Sequence, residues 1–266
     1  IRERQEAIAE EQERERQEAI AEEQERRAMV VAREQENERQ EAIAEEQERE
    51  REEMERVRWG RALPLGGQII TIDSGLRNPA NLFLGINGAR ESVVTIMTEE
   101  GSGSAFIIST DGLAITNRHV VGEDAEPGTF FRARLPSGVE VPARIMRVSE
   151  TLDIALIQVL CEVSCVTLRV SMQTPRVGSD IWVVGTPLGL EFTVSKGIVS
   201  SIRFLDGATA IQTDAAANPG NSGGPIIDVD TGVVLGVLTK GLLDAEGLNF
   251  GILARDALGS VGVQFR

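Results

Sequence analysis

One histidine, two cysteines and no apolar run of membrane length narrow the field before any motif is read. A bilayer-spanning helix needs about 20 consecutive apolar residues. Nothing here approaches that, so no membrane span is expected, and no signal peptide is visible in the sequence as written. His119, Cys161 and Cys165 fall short of a four-ligand zinc set, and neither a metal nor any other cofactor is expected. The two cysteines are not a C-x-x-C redox pair. They read either as one disulfide, which marks an oxidising compartment, or as two ordinary buried thiols. Basic residues are also scarce, 27 against 42 acidic, for a net charge of −15. That balance excludes the electropositive footprint of a nucleic-acid binder. The sequence begins with Ile rather than Met, which reads as a piece of a longer chain.

Glycine, proline and lysine are wholly missing before Gly60. In their place stands a repeat: Arg-Gln-Glu-Ala-Ile-Ala-Glu-Glu-Gln-Glu-Arg recurs from residues 4, 16 and 39, with a degenerate copy at 27–38. These 59 residues hold 12 Arg and 21 acidic residues, net −9. Glu, Arg, Gln and Ala are strong helix formers. Glu10 with Arg14, Glu22 with Arg26, Glu45 with Arg49 and Glu52 with Arg56 sit at the favourable i,i+4 spacing. A long charged α-helix over 1–59 is therefore expected. Ile8, Ile20, Val31 and Ile43 are spaced 12, 11 and 12 apart, so no single apolar stripe persists and a sustained heptad is missing. The segment reads as a solvated single-helix spacer or as a weak coiled coil, with Ala28–Ala32 its best contact point.

Residues 60–80, with Pro64, Gly66, Gly67, Gly75 and Pro79, read as a linker that holds at most a short strand at 68–72. Short β-rich runs follow, among them 92–98, 104–109, 113–116, 154–159, 181–184, 211–213, 225–229 and 233–238. Turn pairs such as Asp111-Gly112, Ser137-Gly138, Asp206-Gly207 and Thr231-Gly232 punctuate them. The fold class is mainly β, and 81–266 is long enough for two small barrels.

The chemistry centres on Ala217 to Pro225, where Ser222 stands between Gly220 and the pair Gly223-Gly224. Glycine in such density costs backbone entropy, which implies that other backbone comes very close. A serine hydroxyl becomes a nucleophile only when a base takes its proton. His119 is the only imidazole available, and Asp153, at the mouth of an apolar strand, is the best carboxylate to orient it. Acyl transfer places negative charge on the former carbonyl oxygen, and backbone N–H groups lower that barrier. The Gly220-Asn221-Ser222 backbone is the candidate oxyanion hole, with the amides of Gly220 and Ser222 aimed inward.

Five segments in order resemble the HtrA (Deg) branch of the trypsin-like serine proteases across residues 82–254. They are Gly101–Ile108 with Thr116–Val121, Asp153–Leu156, Gly185–Gly189, Val194–Ser200 and Gln212–Pro225. The resemblance implies a trypsin-like double β-barrel with the triad in the cleft between barrels. It implies a first specificity pocket framed by Ala215, Ala216 and Ala217 and by the segment from Leu238, with Leu238, Thr239, Lys240 and Gly241 pairing with an extended substrate. No acid stands at the expected pocket floor, which disfavours cleavage after Lys or Arg and favours a small or medium aliphatic residue. Digestive-type relatives keep an aspartate before the nucleophile, where Asn221 stands here, so activation by a cut N-terminus is not expected. The family's PDZ modules have no room in the dozen residues after Ala254. Family trimers form through the segment matching Asn81–Leu84, with Phe83 as its anchor.

The expected function is therefore that of a serine endopeptidase on unfolded or extended polypeptides, with a periplasmic or secreted setting implied by the resemblance and a cytoplasmic one as the rival. Two other readings remain open. One is a chaperone-like peptide-binding module with a latent site. The other is an assembly protein driven by the charged helix.

Overall fold

The computed structural model describes residues 69–72, 86–98, 101–161, 165–186, 192–239 and 248–265, together with positions 26, 29, 33, 37, 39 and 40. The chain divides into two units, Ile1–Pro64 and Leu65–Arg266. In the first, the six described residues are helical and exposed. The rest of the charged repeat, and with it the choice between spacer and coiled coil, lies outside the described residues, as do Asn81–Leu84, Lys240 and Gly241.

The second unit is built mainly of β-strands. Strands β1 (Ile70–Ile72), β2 (Val93–Thr98), β3 (Gly101–Ile107), β4 (Leu113–Thr116), β5 (Phe130–Arg134), β6 (Glu140–Val148) and β7 (Ala155–Val159) come first, with two short helices, α1 (Ile86–Arg90) and α2 (Arg118–Val121). Then follow β8 (Asp180–Gly185), β9 (Thr193–Leu205), β10 (Ala208–Thr213), β11 (Pro225–Asp228), β12 (Val234–Thr239), β13 (Asn249–Leu253), helix α3 (Ala254–Ser260) and β14 (Val263–Phe265). Six strands close one barrel in the order β2-β3-β4-β7-β6-β5, and six close another in the order β10-β13-β12-β11-β8-β9. This is the double barrel that the resemblance implied. Closure pairs both edges of every barrel strand and leaves no free ladder.

Each barrel has its own apolar interior. Ile96, Ile107, Ile145 and Ile157 are among the buried residues of the first, and Ile181, Val183, Ile211 and Ile226 of the second. The β-branched side chains pack well on a pleated surface, which is why these sequences prefer strands. The β9–β10 hairpin turns on Asp206-Gly207, with φ of 48° and 82°. Positive φ at both central residues is what a two-residue type I′ turn requires.

The short strand read at 68–72 within the linker is present. Ile70–Ile72 lies parallel to Val263–Phe265 in a separate two-stranded sheet. Arg147 of β6 donates to Val261 O at 3.0 Å, tying the first barrel to the turn before β14.

Cys161 and Cys165, left open by the sequence, form a disulfide just beyond β7, with Cα atoms 5.7 Å apart. Cys165 packs into the core of the first barrel. The bridge closes a loop of four residues' separation, for which the chain-entropy model gives only about 2 kcal/mol. Urea unfolding with and without reductant is expected to show a modest loss of that order and a retained cooperative transition.

Candidate active site

The site lies where the two barrels meet, and both sides are built from strand ends. On the first-barrel side, β4 runs into Asn117 and the four-residue helix α2, which carries His119. The first N–H groups of any helix lack partners within it. The His119 N–H finds one in Asp153 Oδ1 at 3.0 Å, across 34 residues of sequence. The same carboxylate takes the His119 ring through Oδ2, 2.7 Å from Nδ1. Asn117 makes no cap bond to α2; its Nδ2 instead donates to the Asp153 carbonyl at 2.8 Å. Backbone and ring of His119 are thus both registered on one aspartate.

The second barrel contributes a further donor to that aspartate. Thr239, at the end of β12, donates its hydroxyl to Asp153 Oδ2 at 2.7 Å. Burial pushes the Asp153 carboxyl upward, but the His119 ring, the His119 N–H and the Thr239 hydroxyl hold it below its ordinary value of 3.8. A depressed pKa adds stability that is complete above the ordinary value and is lost as pH falls through the lowered one. Thr239→Val removes one of the lowering bonds. The acid limb of the thermal-midpoint-against-pH curve is expected to move to higher pH in that variant.

The nucleophile segment is two consecutive turns. Asn221 N–H donates to Asn218 O at 3.0 Å, closing Asn218-Pro219-Gly220-Asn221, and Gly224 N–H donates to Asn221 O at 2.9 Å, closing the next. The third residues of these turns, Gly220 and Gly223, have φ of 97° and 82°. Type II turns demand that sign of φ there and favour Pro at the second position, as Pro219 is. Gly223 and Gly224 also answer a demand for space. A Cβ on Gly223 would strike the Ser104 carbonyl and Thr116 Oγ1, and one on Gly224 would strike the Val184 carbonyl. The close approach anticipated from the glycine density is therefore to the first barrel's β3 and to β8.

His119 and Ser222 line one cavity of about 480 Å³, together with Ala217, Gly220, Leu238 and Thr239. Among the described residues the Ser222 hydroxyl has no hydrogen-bond partner, so the structure brings the three candidate catalytic residues to one place and joins two of them directly. Of the three oxyanion candidates, the Asn221 amide is already engaged with Asn218 O. It is therefore not a donor to the oxyanion, and the two amides expected to face it remain. The amides of Gly220 and Ser222 have no acceptor among the described residues.

Leu238 also departs from expectation. It lines the cavity, but its N–H donates to Gly224 O and its carbonyl accepts from Gly223 N–H, both at 2.8 Å. Neither group is free to pair with a peptide. Ala215 is buried and its carbonyl accepts from Asn249 Nδ2 at 2.8 Å, while Ala216 is exposed and Ala217 lines the cavity. Asp214 is exposed and accepts the Ile198 N–H at 2.8 Å. Three residues with a part in this arrangement were not singled out from the sequence: Ser104, Thr186 and Asn249. A serine directly before the apolar run of a strand, as Ser104 stands before Ala105-Phe106-Ile107 in β3, was the available signal.

Asn221 is fully buried, and neither polar atom of its side-chain amide has a partner among the described residues. A Cβ on Gly185 would stand 2.6 Å from Asn221 Oδ1, so the enclosure is tight. A neutral amide tolerates this far better than a charge does. Asn221→Asp would leave an uncompensated carboxylate, at a cost on the order of 3 kcal/mol. Urea denaturation at pH 7 is expected to show it, with the loss shrinking as acid neutralises the new group.

Comparison with known proteins agrees with the double-barrel fold. The family model described as a trypsin-like peptidase domain matches residues 103–237. A DegP-like periplasmic serine endoprotease of Chlamydia trachomatis is 35% identical over 178 residues, covering 65% of this chain and 34% of that one. Serine protease HTRA1B of Danio rerio is 35% identical over 173 residues, covering 61% of this chain and 35% of that one. The chain thus spans about a third of the length of these curated relatives. The crystal structure of the serine endoprotease from Yersinia pestis superposes with a TM-score of 0.58 at 27% identity, covering 65% of this chain and 62% of that one.

Proposed function

Because the chain belongs to the trypsin-like peptidase family, with a protease domain of the HtrA type, we propose that it is a serine endopeptidase working through Ser222, His119 and Asp153. The observation that carries this is that His119, doubly registered on Asp153, lines the same cavity as Ser222. An ionised carboxylate only accepts hydrogen bonds. Asp153 therefore holds the proton on His119 Nδ1 and leaves the Nε2 lone pair to act as base. His119 Nε2 takes the Ser222 hydroxyl proton as Oγ attacks the peptide carbonyl. The oxygen that gains charge is received by the N–H groups of Gly220 and Ser222. His119 then returns the proton to the departing amine, and a water molecule repeats the sequence to release the acyl group.

Among the described residues, no Asp or Glu lines the cavity. That supports a small or medium aliphatic residue before the scissile bond. An extended substrate pairs with backbone from Thr239 onward, the β-addition mode, which makes unfolded polypeptides the substrate class. A periplasmic or secreted setting is supported by the Cys161–Cys165 disulfide, since such bonds persist in oxidising compartments. Assembly as a trimer rests on the family resemblance alone, and sedimentation of the full chain reads it directly.

Ser222→Ala is expected to abolish both casein hydrolysis and labelling by a fluorophosphonate. Asp153→Asn leaves the imidazole in the wrong tautomer and is expected to lower kcat on the order of 10⁴-fold. The unpartnered Ser222 hydroxyl favours one rival, a latent peptide-binding module. A wild-type protein that binds unfolded casein without cleaving it or reacting with the probe establishes that rival and ends the proposal.

A further inference from the structure

Ser104 is fully buried in β3 of the first barrel, yet its N–H and its hydroxyl both bond to groups of the second. Its N–H donates to Ser222 O at 2.9 Å. Its hydroxyl donates to Gly220 O at 2.7 Å. The Thr186 N–H donates to the same hydroxyl oxygen at 2.9 Å, and Thr186 Oγ1 lies 3.3 Å from it. Its carbonyl accepts the Thr116 hydroxyl at 2.7 Å. A serine hydroxyl has a single proton. A backbone N–H can only donate and a carbonyl can only accept, so the direction of the chain is fixed: Thr186 to Ser104 to Gly220.

Gly220 and Ser222 are the two residues whose amides receive the oxyanion in the mechanism proposed above. Ser104 alone holds the carbonyls of both, one through its backbone and one through its side chain. Asn221 N–H is tied to Asn218 O, so the peptide between Gly220 and Asn221 is fixed at both its oxygen and its nitrogen. The Gly220 and Ser222 amides themselves have no acceptor among the described residues, and the anchored carbonyls on the peptides that follow them restrict the backbone that carries both. We propose that Ser104 is a positioning residue that sets the orientation of the oxyanion-binding amides across the barrel interface. This rests on the endopeptidase mechanism. A catalytic donor is effective because it is preorganised before charge develops. Losing the Ser104 hydroxyl frees the Gly220 carbonyl and leaves the Thr186 N–H without its acceptor.

The test is Ser104→Ala, assayed on a fluorogenic peptide for kcat and KM and on the matching peptide aldehyde, whose adduct with Ser222 carries the oxyanion. The expected result is a fall in kcat of about 10- to 100-fold, below the 10²–10³ that follows loss of a donor outright. KM stays within about twofold, and affinity for the aldehyde falls by the same factor as kcat. A merely structural weld would instead lower the melting temperature while kcat per folded molecule stayed at the wild-type value, and that outcome overturns the proposal. If Ser104→Ala does not fold, the same ratios are read on Ser104→Gly, which also removes the hydroxyl while keeping the backbone N–H to Ser222; parallel losses in kcat and aldehyde affinity support the proposal, and wild-type ratios overturn it. Wild-type protein that neither cleaves nor labels refutes the endopeptidase reading itself. Active wild type with an equally active, folded Ser104 variant refutes only the role of Ser104.

Discussion

Contact between β3 and the nucleophile turns is the constraint on which the rest of the site hangs. Two closed barrels could each fold around their own apolar interior with no particular relation to one another. What orients them is a short polar seam: Ser104 with Ser222 and Gly220, Thr186 with Ser104, and Thr239 with Asp153. Each bond joins a group on one barrel to a group on the other. The seam is buried at Ser104, where an unmade hydrogen bond would cost the desolvation of both partners. Geometry and satisfaction therefore enforce each other, and small residues are compulsory where the backbones meet.

Asp153 shows how the same economy of parts sets up the imidazole. A surface carboxylate beside a histidine is a weak and adjustable partner. Here the carboxylate is half-buried and shared among the His119 ring, the His119 backbone and a hydroxyl from the opposite barrel. The ring is thereby related to the second barrel through the shared Asp153 carboxylate. A displacement of β12 is felt at Asp153 and so at the base.

The chemistry was more legible in the sequence than the architecture around it. Glycines flanking Ser222 announced a close backbone approach, and one histidine left no choice of base. Strands of mostly apolar character, such as β4 and β7, were also visible, since both faces are buried. β5 was not, because Phe130–Arg134 mixes arginines with aromatic residues and much of it stays exposed. The short strand read at 68–72 forms as β1, but its partner β14, some 190 residues away, was not legible, since no local pattern reports such a pairing. Leu238 was assigned to the substrate for a similar reason. A strand's period says which face a side chain takes, but not that its backbone is already bonded to the turn at Gly223 and Gly224.

The two-stranded β1–β14 sheet stands apart from the barrels in one respect. Barrel closure hides every ladder edge, whereas β14 has its inner edge covered by a single three-residue strand. A chain trimmed from the N-terminal side past Ile72 would keep both barrels and the whole seam. It would also uncover a row of N–H and C=O groups able to recruit a strand from another molecule. The strand that contributes least to the cleft thus guards colloidal behaviour, and limited trimming would register first as clumping rather than as lost turnover.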